Sequence, residues 1–304
     1  VESATYGKHG DSSLNEDGLF VGDAFVAVVD GVTSKCRLVR WNPSPGVIAR
    51  ESLLETLAVA DVEHPDMDVH TMQRLLDSSL RGRYDDVPDH PRDFFDVHPE
   101  ERLAANAVVF SAARREIWLF GDCQAMVNGT IVPTTKRVDV VLAAVRSMVC
   151  RLYDMADADG RRMISEELGS GLNGGLNGGS AAERGIAAFP ADDERDIGRE
   201  AISPLLRLQS RFANRRDDAF GYFVFDGYTD REWPVPVIPV NSSDEIILAS
   251  DGYPILKRSL EESERALSQL RDRDPRLIRE FESTKGFPNG SGFFDDRTYI
   301  RFVV

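Results

Sequence analysis

The chain has 304 residues and sets 36 Lys and Arg against 51 Asp and Glu, for a net charge of −15. That balance argues against nucleic acid as a partner, because such affinity rests on Lys and Arg meeting phosphates. It argues equally against docking on anionic membranes. Hydrophobic residues at 42% and charged ones at 29% are ordinary for a globular protein, and no apolar run approaches the ~18 residues that a membrane-spanning helix requires.

A chain this long buries a large core without a disulfide or zinc staple. Cys36, Cys123 and Cys150 are scattered, odd in number and form no CxxC pair, which predicts a reduced, cytoplasmic setting. The first residues, Val1-Glu2-Ser3-Ala4-Thr5, lack the basic and apolar regions of a signal peptide and read as a processed or trimmed start.

Phe25–Val29 is an apolar run that ends in Asp30-Gly31, the pattern of a buried strand running into a turn. Ile48, Leu53, Leu54 and Leu57 recur at helical spacing over Val47–Ala60, and Met72, Leu75, Leu76 and Leu80 do so over Val69–Arg81. Tyr84–Pro99, rich in Pro and Asp, reads as a loop. Ala107–Phe110, Glu116–Phe120 and Ala125–Asn128 are short β runs with polar turns between them and predict an antiparallel meander. Val138–Ala156 is an amphipathic helix, and Glu194–Asn214 is a further helical block. Strands are expected at Tyr222–Phe225, Glu245–Ala249 and Tyr299–Val303, with a helix over Leu260–Arg271. Blocks of strands and blocks of helices, without strict alternation, indicate an α+β fold with antiparallel sheets.

Residues 169–180 contain a repeated Gly-Leu-Asn-Gly unit and have the composition of a flexible loop. A domain boundary and an engineered replacement of a longer loop are rival readings. The acidic motifs fall on both sides of the segment, so a loop inside one domain spanning 1–304 is preferred.

Four acidic turns stand together: Asn15-Glu16-Asp17, Asp30-Gly31, Ser250-Asp251-Gly252 and Asp295-Asp296-Arg297-Thr298. A carboxylate at a buried strand end is costly unless paired or bound to a cation, and the Gly after Asp30 and after Asp251 allows close backbone approach. Oxygen ligands of this kind suit Mg²⁺ or Mn²⁺. Any one of these turns alone would be an ordinary Asp-Gly turn. Their order and flanking hydrophobics carry the argument.

Other motifs fall away. A calcium loop starting at Asp157 would have Arg161, Arg162 and Leu168 where an oxygen ligand, Gly and Glu are needed. The Gly-rich segment lacks the Lys-Ser/Thr of a phosphate-binding loop. His9, His64, His70, His90 and His98 form no HExxH pair.

In five blocks the chain resembles the metal-dependent protein phosphatases (the PPM, or PP2C-like, family). The blocks are Asn15-Glu16-Asp17, Phe25–Gly31, Trp118–Cys123 around Gly121-Asp122, Ile246–Gly252 and Asp295–Ile300, in the family's order. The resemblance implies a β-sandwich of two antiparallel sheets flanked by helices. It also implies a centre of two Mg²⁺ or Mn²⁺ ions, with a weaker third in some members. Carried over by position, Asp30 would bridge the ions and the Gly31 carbonyl would bind one. Asp251 and Asp295 would hold an ion, Asp17 or Glu16 would sit on the other side partly through water, and Asp122 would help hold the third. Asp30 and Asp251 are thus the catalytic candidates. The implied activity is phosphomonoester hydrolysis by a hydroxide bridging the two ions, on a phospho-Ser/Thr protein or a small phosphorylated molecule. No nucleophilic Cys or Ser is needed.

The sequence also departs from the family. The usual basic residue that grips substrate phosphate falls near Ser12, where no Arg stands, leaving Lys8, His9 or Lys35 as substitutes. Val32-Thr33-Ser34 replaces a second Gly pair, Asp296 replaces the usual Asn, and Gln124 stands where Arg is common. These changes keep two alternatives open: other small-molecule chemistry, such as isomerisation or another hydrolysis, at the same centre, or a non-catalytic pseudophosphatase. Trp41–Gly46, Tyr84–Pro99 and Tyr228–Pro239 are candidate specificity surfaces.

Overall fold

The computed structural model describes residues 1–8, 10–33, 38–85, 87, 90–91, 93–173, 195–289 and 292–304. Two five-stranded antiparallel sheets stack face to face. One contains β1 (Glu2–Tyr6), β6 (Gln124–Val127), β7 (Thr130–Val132), β9 (Glu245–Ala249) and β10 (Arg297–Val303), in the order β1-β10-β9-β6-β7. The other contains β2 (Asp17–Val21), β3 (Phe25–Gly31), β4 (Ala105–Ser111), β5 (Glu116–Phe120) and β8 (Val237–Pro239), in the order β2-β3-β4-β5-β8.

Strand periodicity explains the layering, since successive side chains point to opposite faces. Val28, Val108, Phe110, Ile117 and Leu119 meet Ala125, Ile246, Leu248 and Ile300 between the sheets. Phe25, Ala27, Val29, Ala107 and Val109 point the other way, onto Leu53, Leu57, Leu76 and Leu80. Those leucines belong to α1 (Pro45–Glu63) and α2 (Val69–Arg83). Ser44 caps α1 by accepting from the Val47 N–H, with Pro45 in its first turn, and Asp68 caps α2 by accepting from Thr71. On the outer side of the other sheet, Ile247, Ala249 and Tyr299 pack with Tyr253, Leu256 and Leu260. Leu260 opens α7 (Leu260–Arg273). The architecture is therefore the α+β fold with antiparallel sheets that the patterning predicts, in the helix-flanked sandwich that the resemblance implies.

Several local expectations need correction. β4 and β5 pair, but β6 leaves the meander for the other sheet, where it lies between β7 and β9. The crossing occurs at Gly121, whose φ of +99° turns the chain sharply, and a Cβ there would lie 2.1 Å from Asn106 Oδ1. Tyr222–Phe225 is not a strand. Only isolated bridges form, Phe225 with Ala105 and Tyr222 with Ala213. The Asn214 side chain takes both backbone groups of Val224, accepting at 3.2 Å and donating at 2.8 Å, so no neighbouring strand is needed. The apolar character of this segment serves packing, with Phe223 and Phe225 in the core.

The Tyr84–Pro99 loop contains a short helix, α3 (Phe94–Val97). α4 (Arg137–Met155) matches expectation. α5 (Ala158–Asn173) extends into the Gly-rich segment, so residues 169–173 are helical, while 174–180 lie outside the described residues. Asp157 accepts from the Gly160 N–H at 2.8 Å, the role of a turn residue at a helix start rather than of a calcium ligand. The later helical block is shorter than expected: α6 (Ile197–Leu208) gives way to a 3-10 turn at Gln209–Phe212, while residue 194 lies outside the described residues. β1, β2, β7 and β8 have no counterpart among the predicted strands. Among the described residues, no helix is long and apolar enough to cross a membrane.

Leu248 is fully buried between the sheets. Replacing it with Ala should cost about 2–5 kcal/mol in urea unfolding, whereas Val303→Ala, at an exposed position, should cost about 0.5 kcal/mol or less.

Candidate metal centre

Antiparallel pairing brings distant acids to one end of the sandwich. β3 finishes at Asp30-Gly31, and its neighbour β2 begins with Asp17 directly opposite Asp30. Asp122 occupies the crossing turn after β5. Asp251 follows β9, and Asp295 and Asp296 precede β10, while Ala249 of β9 pairs with both Tyr299 and Gln124.

Asp30, Asp122 and Asp251 each present a carboxylate oxygen, all within 4.8 Å of one another. Neighbouring groups hold them in place. Asn106 lies opposite Asp30 on β4 and donates from Nδ2 to Asp122 Oδ1 at 2.5 Å. Gln124 Nε2 donates to the Ser250 and Tyr253 carbonyls at 2.8 and 2.9 Å, pinning the turn that carries Asp251. The partly buried Lys136 ammonium lies 3.0 Å from Asp139 Oδ2, 3.9 Å from Asp122 Oδ2 and 4.3 Å from the Tyr222 ring centre.

The site is short of positive charge. Burial pushes the Asp17 carboxyl up to about 8, with the charges of Asp295, Asp251 and Asp296 adding to the rise and a Ser250 hydrogen bond opposing it. Burial, then Asp17 and Asp122, hold the Asp30 carboxyl well above its usual range. Asp251 still touches solvent, yet desolvation by the surrounding protein and the charges of Asp30 and Asp295 raise it similarly. Asp122 is raised by burial, against the pull of Lys136. Two buried oxygens in this region, Asp17 Oδ2 and Asn106 Oδ1, have no hydrogen-bond partner, a rare and costly state. Clustered carboxylates, orphaned oxygens and an all-oxygen donor set fit a hard divalent cation.

Other predicted residues fall elsewhere. Asp295 is not part of the converging set: its Oδ2 lies 2.5 Å from Lys285 Nζ and its Oδ1 3.7 Å from Lys8 Nζ. Glu16 is held in a separate polar knot. It accepts from Lys8 Nζ at 3.0 Å, Thr33 Oγ1 at 2.5 Å and Ser44 Oγ at 2.8 Å. Asp296 accepts from the Lys8 backbone N–H at 2.7 Å and from Lys8 Nζ at 2.9 Å.

Lys8, a candidate for gripping substrate phosphate, is engaged within the protein. An ammonium has three donors, and those of Lys8 are taken by Glu16, Asp296 and Thr33. Burial alone would lower its pKa, but Asp295, Glu16 and Asp296 raise it above the usual lysine value. His9 and Lys35 lie outside the described residues. Gly31 has a packing reason to be Gly: a Cβ there would lie 2.1 Å from the Gly46 carbonyl oxygen, where β3 abuts the start of α1.

Asn106, Lys136 and Lys285 escaped the sequence reading. Asn106 carried a signal, a lone amide within the apolar run of β4. The two lysines stand in unremarkable loop sequence. Cys123 is buried beside the centre, and burial with the charges of Asp30 and Asp122 holds its thiol well above the usual value, the opposite of an activated nucleophile.

No protein-family model matches the chain, and no curated protein matches it. Among solved structures, it is similar to the catalytic domain of the serine/threonine protein phosphatase PstP in complex with two manganese ions, at 13% identity and a TM-score of 0.45, over 98% of this chain and 95% of that one. It is also similar to the PPM Ser-Thr phosphatase MsPP from Mycobacterium smegmatis in complex with cacodylate (14%, TM-score 0.42, 98% and 95% covered). A third is the serine/threonine phosphatase Stp1 from Staphylococcus aureus (14%, TM-score 0.44, 100% and 94% covered). All three are Ser/Thr phosphatases. The likeness extends along nearly the whole chain, at low identity.

Two outcomes follow. Lys8→Met leaves Glu16 and Asp296, both under 5% exposed, as uncompensated buried charges, and should cost about 3–5 kcal/mol in urea unfolding. A lysine that only gripped substrate would raise KM with stability unchanged. The second outcome concerns pH. With its folded pKa raised from 3.8 to about 8, Asp17 binds a proton in the fold that the unfolded chain has released. Its contribution is full below 3.8 and is lost as pH rises towards about 8. In EDTA, Asp17→Asn should therefore gain stability relative to wild type between about pH 5 and about pH 8. A constant difference across that window would contradict the buried, proton-binding Asp17.

Proposed function

We propose that this protein is a metal-dependent phosphomonoester hydrolase, built as one catalytic domain and acting on a phosphorylated protein or a small phosphorylated molecule in the cytoplasm. The observation that carries this reading is the convergence of Asp30, Asp122 and Asp251 from three separate turns. Their order in the sequence matches the phosphatase motifs, and the solved structures similar to this chain are phosphatases. The buried thiols of Cys123 and Cys150 suit a reducing compartment.

Asp30, Asp122 and Asp251 would hold the ion, with unpartnered oxygens on the neighbouring Asp17 and Asn106. When bound, Mn²⁺ or Mg²⁺ supplies a water of lowered pKa and a counter-charge for phosphoryl oxygens. The chain's own part is positioning. Asn106 fixes the Asp122 carboxylate, Gln124 fixes the Asp251 turn, and Lys136 balances Asp122 from within the protein. Cys123, with its raised thiol, supports a route without a covalent cysteine intermediate.

One observation favours a second reading. Lys8 is engaged by Glu16, Thr33 and Asp296, and no Arg stands at Ser12, so neither of these two positions offers a free cation to a substrate phosphate. Another small-molecule reaction at the same centre would account for that.

The test is phosphate release from an aryl phosphate and from phosphopeptides, with Mn²⁺ and with EDTA. Wild type should need Mn²⁺, and Asp251→Asn should lose about 100-fold or more of the rate, the scale seen when a preorganised electrostatic group is removed. Full activity in Asp251→Asn would refute the assignment. Turnover of a metabolite without phosphate release would favour the second reading.

A further inference from the structure

We propose that Lys285 is a built-in cation that occupies Asp295 in place of a metal ion, so that this carboxylate ligates none and the centre takes one divalent ion at Asp30, Asp122 and Asp251. The inference rests on the reading that those three residues bind metal.

The geometry is specific. Lys285 Nζ lies 2.5 Å from Asp295 Oδ2, and the two side chains are only 27% and 20% exposed. The other Asp295 oxygen faces Lys8 Nζ at 3.7 Å and accepts from the Asp296 N–H at 3.1 Å. Both oxygens of this carboxylate are thus occupied by protein donors. The charge of Lys285 also reaches Asp30 and Asp251, where it opposes the rise of both carboxyls. Its direct ion pair is with Asp295, and its pull on Asp30 and Asp251 is the weaker effect, which leaves both carboxyls raised.

Lys285 is also held in place by its backbone. Arg146, whose side chain is 1% exposed, donates to the carbonyls of Arg276, Leu277 and Ser283 at 2.9, 3.2 and 2.9 Å. Arg199 donates to the Thr284 carbonyl at 2.5 Å. Two arginines thus grip the chain at the residues immediately before Lys285. A flexible surface lysine in a salt bridge would contribute little and yield readily to a metal. A lysine on a clamped segment, half-sheltered against its partner, competes with a second ion.

The experiment counts Mn²⁺ per chain at saturation, by calorimetry and by metal analysis after gel filtration, with folding checked by circular dichroism. Wild type should bind one ion, Lys285→Met two, and Lys285→Arg one. Two ions in wild type, or one in a folded Lys285→Met, would overturn the inference. The double variant Lys285→Met/Asp295→Asn keeps the net charge of the pair and gives a second check. It should bind one ion with affinity unchanged, and a loss of about tenfold or more, the scale of a disturbed metal shell, would mean that Asp295 ligates in wild type and would overturn the inference. Absence of Mn²⁺ binding in every variant and in wild type would refute the metal reading itself, an outcome distinct from a second ion in wild type.

Discussion

Mutual repulsion among crowded carboxylates is the constraint around which this end of the molecule is organised. Asp17, Asp30, Asp122, Asp251, Asp295 and Asp296 are drawn together by strand pairing that the hydrophobic core dictates. Like charges at such separations cannot all ionise without compensation. The protein compensates in two different ways. On one side, Lys8 and Lys285 offset most of the charge of Glu16, Asp295 and Asp296 through direct ion pairs. On the other, Asp30, Asp122 and Asp251 converge with the more remote Lys136 as their internal counter-charge, and their carboxyls stay high. A divalent cation resolves the second half as the lysines resolve the first.

The fold makes this possible by keeping the acids on rigid supports. Asp30 ends a strand whose alternate residues are locked into two separate cores, one between the sheets and one beneath α1 and α2. Asp122 sits in the turn where the chain changes sheets, and Asp251 in a turn tied to β6 by Gln124. A site built at strand ends holds its geometry better than one on long loops, because the core fixes the backbone on which each ligand stands.

How much of this was legible in the sequence depended on whether a residue's neighbours advertised its role. Phe25–Gly31 and Ile246–Gly252 did so, because an apolar run that stops at Asp-Gly places a carboxylate at a buried strand end. The helices α1, α2, α4 and α7 were readable from periodicity. The sheet to which β6 belongs was not, because a strand's sequence records its faces and not its partner. Tyr222–Phe225 imitated a strand because packing against Phe120 and Trp233 selects the same residue types as a pleated sheet. Asn106 was visible in principle as an amide in an apolar run. Lys285 was not, since its meaning depends on two arginines far away in the sequence.

The most direct test of this account is a crystal soaked in Mn²⁺ and measured at the manganese absorption edge. The account predicts an anomalous peak bonded to carboxylate oxygens of Asp30, Asp122 and Asp251. A saturated crystal with no peak at those three residues, or with its manganese bound elsewhere, would contradict it.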